Sequence, residues 1–340
     1  MTSASKSHGL PAYSEFASTV ETAPDARPRW PFAVLAAIGI ALIAVPIATA
    51  MFPRAAKGEA MIDGFAPYVT ASSVADFRTD LAVLDDARTT VVDLKAREQE
   101  PNRSELVDQF VRDYPGIRSE IGNMVGTIDR HRGDYDRLAA LPPFGALPWL
   151  LALPGVLLTA AGVFGFRRAS DGRSSPVWSS VAALAGAALI AVPVAGGLFG
   201  AAGAGQPVID GFRPILTQAQ VRKIQGYFVT LVAADGDLNS RYAPAVRAAH
   251  PEADLSGLAV LETRWQPMTS RFAALIGAMN DNIDDFDAVA ALNDSTKPLG
   301  FTGFRALGWF YLVPGVLVLA VVATGIGKRH GVTTAGSEGK

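Results

Sequence analysis

Hydrophobic positions along this chain fall into two patterns. In four stretches, 31–52, 147–166, 177–200 and 307–327, apolar and small residues run on with no Asp, Glu, Lys, Arg or His among them. Each is close to the ~20 residues that a helix needs to cross ~30 Å of hydrocarbon at ~1.5 Å per residue, so each predicts a membrane span. Between the spans the pattern turns periodic. Val74, Phe77, Leu81 and Leu84 recur at helical spacing, as do Val221, Ile224, Phe228 and Leu231. One apolar stripe on an otherwise polar helix predicts burial against another element. Thr70 and Thr217 stand just ahead as N-caps. A second helix follows in each loop, marked by Ile117, Ile121, Met124, Ile128, Tyr135 and Leu138, and then by Phe272, Ile276, Met279, Ile283, Phe286 and Val289. Irregular pieces are expected around Pro101 and Pro115, and around Pro244 and Pro251.

The chain says the same thing twice. Ala-Leu-Ile-Ala-Val-Pro occupies 41–46 and 188–193, and Ile-Asp-Gly-Phe follows at the same distance, at 62–65 and 209–212. The return spans match as well, with Leu153-Pro154-Gly155-Val156-Leu157 answered by Val313-Pro314-Gly315-Val316-Leu317. A unit that crosses the membrane twice returns to its starting side, so the second copy enters with the same heading. The expected fold is therefore an all-α integral membrane protein with four transmembrane helices from a parallel internal duplication. Repeat 1 covers 31–166 (span 31–52, outer loop 53–146, span 147–166) and repeat 2 covers 177–327 (span 177–200, outer loop 201–306, span 307–327). A tail of 1–30, a link of 167–176 and a tail of 328–340 complete the chain.

One helical hairpin exposes a stripe that it cannot cover alone, because short isolated helices are marginal in water. Two hairpins can cover each other in a pseudo-two-fold bundle. Burying the eight stripe residues of the two first helices would contribute about 1.5 to 3 kcal/mol each before entropy is subtracted. Pairing between chains, as a homo-oligomer, satisfies the same pattern.

Composition supports the membrane reading: 49% of residues are hydrophobic and 18% charged, and the mean hydropathy is +0.24. Charge predicts the orientation. Arg27 and Arg29 precede the first span, Arg167, Arg168 and Arg173 fill the link, and Lys328 and Arg329 follow the last span. By the positive-inside rule these are cytoplasmic, both termini included, which places the long loops outside a bacterial plasma membrane. Those loops carry 12 basic against 16 acidic residues and 9 against 11, so they offer no basic face for nucleic acid. With no cysteine in the chain, they must fold by packing alone.

Two sets of residues stand out as structural or partner-docking candidates. Ile62, Asp63, Gly64 and Phe65, with Ile209, Asp210, Gly211 and Phe212, read as a corner between membrane exit and helix cap, where the glycines permit positive φ. Pro46, Pro154, Pro193 and Pro314 fall in the outer parts of their spans, where proline frees a carbonyl and permits a kink. Asp129, His131, Asp134 and Asp136 form the densest mix of metal-ligand types, and the better expectation for them is a solvated helix face. Asp235-Gly236-Asp237-Leu238-Asn239 starts like a calcium loop but has Ser240 where Gly is needed and Val246 where Glu is needed, so it reads as a polar helix break. No nucleophile elbow, phosphate loop or zincin helix appears. The expectation is a protein with no catalytic residues, cofactor or metal. Its outer bundle would bind or scaffold another envelope component, and the alternative is a transport component handling a lipid or other apolar ligand at the outer leaflet. An apolar cavity near the four prolines would favour the alternative, and a filled core would favour the scaffold.

Overall fold

A computed structural model describes residues 28–97, 104–171, 173 and 175–327. Arg27, Pro101, Lys328, Arg329 and the tail of 328–340 lie outside the described residues, as does all but the last three residues of the tail of 1–30. The described residues are all-α. Twelve helices are named here: α1 (Trp30–Ala48), α2 (Met51–Phe65), α3 (Ala71–Arg97), α4 (Glu105–Ala139), α5 (Leu147–Ser170), α6 (Pro176–Ala195), α7 (Leu198–Phe212), α8 (Gln218–Asp237), α9 (Ala243–Ala249), α10 (Ser256–Asp281), α11 (Ile283–Asp294) and α12 (Gly303–Gly327). Among the described residues, four stretches are long and apolar enough to cross a membrane: Trp30–Ala48, Phe144–Ser170, Pro176–Ala195 and Gly303–Thr324.

The contacts divide the chain into two units. The first comprises Met1–Ile43, Ala152–Leu189 and Val313–Lys340, and so holds one part of each apolar helix. Here glycines bring helices together. A Cβ on Gly39 would lie 2.5 Å from the Thr159 backbone nitrogen and 2.6 Å from the Gly155 carbonyl oxygen. A Cβ on Gly186 would lie 2.8 Å from the Val318 side chain and 3.2 Å from the Gly315 carbonyl oxygen. In hydrocarbon there is no hydrophobic force between helices, so this close van der Waals approach is what joins them. Large apolar side chains point outward, among them Leu184, Val316 and Leu157, as lipid-facing residues should.

The second unit, Ala44–Leu151 and Ile190–Leu312, contains the bundle. Its long helices α3, α4, α8 and α10 pack in a closed cycle, each against the next, so the two loops share one core. Val74, Phe77, Leu81, Leu84, Val221, Ile224 and Leu231 are buried, whereas Phe228 is only half-buried. Caps start the helices as the sequence predicts: Thr70 Oγ1 accepts from Ser73 N at 3.1 Å, and Thr217 Oγ1 from Gln220 N at 3.1 Å. Ser104 caps α4, accepting from Val107 N at 3.3 Å.

Several boundaries differ from the sequence reading. The first and third apolar runs are not single helices to Phe52 and Gly200. Each breaks, at Thr49–Ala50 and at Gly196–Gly197, with left-handed φ of 48° at Ala50 and 65° at Gly197, before α2 and α7 resume. Pro46 and Pro193 sit two residues before these helix ends, where the missing N–H weakens the last turn. Pro115 does not interrupt α4. It removes the bond that would reach Val111, and Arg88 of α3 supplies the replacement, its Nε donating to the Val111 carbonyl at 3.0 Å. The Asp235–Asn239 segment does not break the helix either, because α8 continues through a π-helical turn, Leu238–Tyr242, into α9. The second helix of the second loop is instead divided at Asn282, between α10 and α11.

Candidate functional site

The two Ile-Asp-Gly-Phe elements are not corners. They are the last turns of α2 and α7, and neither Gly64 nor Gly211 has positive φ. The corner comes in the residues after each helix, where Tyr68 N donates to Phe65 O at 2.9 Å and Ile215 N to Phe212 O at 3.0 Å. The glycines are needed for close approach. A Cβ on Gly64 would lie 2.9 Å from Nδ2 of Asn282, and one on Gly211 would lie 2.4 Å from Nε2 of His131. Thus the element of each loop is packed against the second helix of the other loop. The helix pairings agree, α2 against α11 and α7 against α4.

Around these elements the side chains interlock. Phe65 and Phe212 are both buried, with ring centroids 6.5 Å apart. Tyr135 donates its hydroxyl to the Ile62 carbonyl. Burial, with Asp63 and Asp136 close by, pushes the Tyr135 phenol above its ordinary range. Ile209 is buried, while Asp63 and Asp210 are exposed, and Asp210 accepts from Gln206 at 2.9 Å. Of the proline set, Pro46 and Pro193 are buried and belong to the bundle unit, and Pro154 and Pro314 are half-buried and belong to the other.

Polar braces that sequence reading missed tie the loops together. Asp80 of α3 is fully buried and accepts from Arg271 of α10, with Nε at 3.1 Å and Nη2 at 3.3 Å. Arg271 also reaches Asp76 at 2.9 Å, and Arg264 stands 3.6 Å from Asp80. Burial pushes the Asp80 carboxyl up, against the pull of Arg271 and Arg264. Glu120 of α4 receives Gln220 at 2.8 Å, Tyr227 at 2.6 Å and Lys223 at 2.6 Å, all from α8. Burial opposes its charge, but these three donors outweigh burial and hold the carboxyl at about 2. The only sequence signal for either brace is a charged residue placed next to an apolar stripe.

The His131 group is dispersed among partners. Asp129 meets Arg78 at 2.8 Å, while Asp134 lies 3.6 Å from His131 and 3.4 Å from Arg137. Among the described residues no group of three or more His, Asp or Glu could hold a metal ion. At the other end of the bundle Asp235 accepts from Asn239 at 2.9 Å, and Asp237 is paired with Ser104 and Arg241.

The outward faces of α8 and α10 differ from the rest of the bundle. From Gln225 to Ala234 α8 carries no charge, and Val229 and Val232 are 66% and 42% exposed. On α10, Ala259, Val260, Thr263, Gln266, Pro267, Ser270 and Ala274 are exposed, with Glu262 at the margin. The basic residues of α10 are turned toward α3 instead. A void of about 10 Å³ lies between Phe65, Phe212 and Met279 in the bundle interior. A larger cavity, about 70 Å³, lies among Val45, Leu151, Phe144, Val289, Leu307 and Phe310. No family model matches the chain, and neither does any curated protein or solved structure.

Proposed function

We propose that this chain is a non-enzymatic membrane protein of a bacterial envelope, whose duplicated helical ectodomain binds or scaffolds another envelope component. Both loops lie outside, the termini inside, and the partner is a protein that presents an apolar helix to α8 and α10. The observation that carries the reading is that outer face, where Val229 and Val260 stand 66% and 47% exposed while the stripes of the long helices are already buried against one another. An apolar face rimmed by polar residues is a common mark of a protein interaction site. Rigidity supports it as well, since braces from Asp80 and Glu120 fix the face in place. The duplication is read from the repeated Ala-Leu-Ile-Ala-Val-Pro and Ile-Asp-Gly-Phe segments, and each Ile-Asp-Gly-Phe element packs on the second helix of the other loop.

The experiment is extraction of wild type and of Val229→Glu/Val260→Glu in a mild detergent under several growth conditions. Wild type should bring a stoichiometric partner, and the variant should lose it while melting at the same temperature. Recovery of wild type alone under every condition would overturn the proposal. Cysteines at Lys95 and Gln218 should label from outside intact cells, and one at Ser170 should not.

A further inference from the structure

The 70 Å³ cavity of the bundle unit has a composition that the scaffold reading does not use. It lies where three apolar helices end or begin: Val45 and Thr49 close α1, Leu147 and Leu151 open α5, and Leu307 and Phe310 open α12. The surface it presents is mostly apolar, which suits hydrocarbon better than water. One cation lines it. Arg54 of α2 is half-buried and donates through Nη1 to the Thr49 carbonyl at 3.0 Å, in the break between α1 and α2. Among the described residues it forms no ion pair. Of the neighbouring cations, Lys57 is paired with Asp285 and Lys297 with Asp294. The polar side chains of the lining, Ser295, Thr296 and Asn293, are neutral; the two hydroxyls donate to backbone carbonyls, and Asn293 is held by Gln206 and Phe304.

We infer that this cavity takes the glycerol-proximal segment of one acyl chain of an anionic phospholipid, whose phosphate rests on Arg54. The space suits a chain segment and is too small for a headgroup, and a planar guanidinium with free donors matches phosphate. The counterpart of Arg54 in the second half of the chain is Ala201, and that of Leu151 is Tyr311, fully buried with its hydroxyl on the Leu147 carbonyl at 2.6 Å. The anion-bearing seat thus belongs to one half only. It is a fixed lipid seat, independent of any partner on α8 and α10.

The test is native mass spectrometry of the full chain in a neutral detergent, titrated separately with phosphatidylglycerol, phosphatidylcholine, a free fatty acid and inorganic phosphate. Phosphatidylglycerol should be retained about tenfold better than phosphatidylcholine. Arg54→Gln should abolish that preference, Arg54→Lys should keep part of it, and Leu292→Phe, which narrows the cavity, should weaken both phospholipids. Equal retention of the two by wild type would overturn the inference. So would a preference unchanged in Arg54→Gln, or displacement of phosphatidylglycerol by phosphate or fatty acid alone. If Arg54→Gln does not fold, Leu292→Phe decides, since unchanged retention there excludes the cavity.

Discussion

Replacing Arg271 by Met isolates one buried link between the two loops. The methionine keeps most of the apolar stem, so packing is conserved while the charge is lost. What remains is Asp80, 0% exposed, with only Arg264 at 3.6 Å. Breaking a buried pair from one side costs about 3 to 5 kcal/mol, because an uncompensated charge is left in a medium that solvates it poorly. Arg264 moderates this, which points to the lower end. With about 2 to 4 °C per kcal/mol for a domain of this size, the melting midpoint should fall by roughly 6 to 15 °C. The assay is thermal unfolding of the full chain in a neutral detergent, followed by tryptophan emission. The Asp80→Leu/Arg271→Met double variant should recover most of the loss, since an apolar replacement of both partners leaves nothing unpaired. The deficit of the single variant should also shrink at lower pH, where the stranded carboxyl takes up a proton. A single variant within 1 or 2 °C of wild type, taken with a double variant no better, would refute the reasoning.

Acid stability should separate two carboxylates of opposite sign. Glu120, held at about 2, contributes stability that is present above its unfolded value near 4.5 and is lost as the pH falls toward 2, so the gap between wild type and Glu120→Gln should close over that range. Burial, opposed by Asn239 and reinforced by Glu262, pushes Asp235 up to about 6, so its contribution is present below pH 4 and lost as the pH rises through 6. Asp235→Asn should therefore be more stable than wild type at pH 8 by about 1 to 3 kcal/mol, and no more stable at pH 4, by denaturant titration. In the apolar helices Gly39→Ala should cost about 1 to 3 kcal/mol, since its Cβ would meet backbone at 2.5 Å. Gly126→Ala, with open space around it, should instead gain about 0.5 to 1 kcal/mol in the same melting assay.

The apolar runs and the stripes were legible in the sequence because they follow from single-residue properties and spacing. Val74, Phe77, Leu81 and Leu84 needed no partner to declare a buried face. The breaks at Ala50 and Gly197 were missed because hydropathy does not register backbone φ, although Gly196-Gly197 was a visible signal. Gly64 and Gly211 were noticed for the wrong reason: sequence shows that a side chain is missing, while only tertiary contact shows that Asn282 and His131 require its absence. Pro115 was read as an interruption because the rescue of Val111 comes from Arg88, 23 positions away. Asp80 and Glu120 look like surface charges until α10 and α8 arrive. The cavity beside Arg54 depends on the ends of three apolar helices at once, which no local pattern records.

The central claim is that the two long loops of one chain clasp each other, and the absence of native cysteine allows a direct test. Gly64→Cys/Asn282→Cys places thiols where a Cβ at 64 lies 3.4 Å from Cγ of residue 282, within reach of a disulfide. Oxidation in intact membranes should give an intramolecular disulfide in nearly every chain, with monomer mobility and no free thiol by maleimide labelling. Thiols that stay free, or that join only chain to chain, would contradict the account.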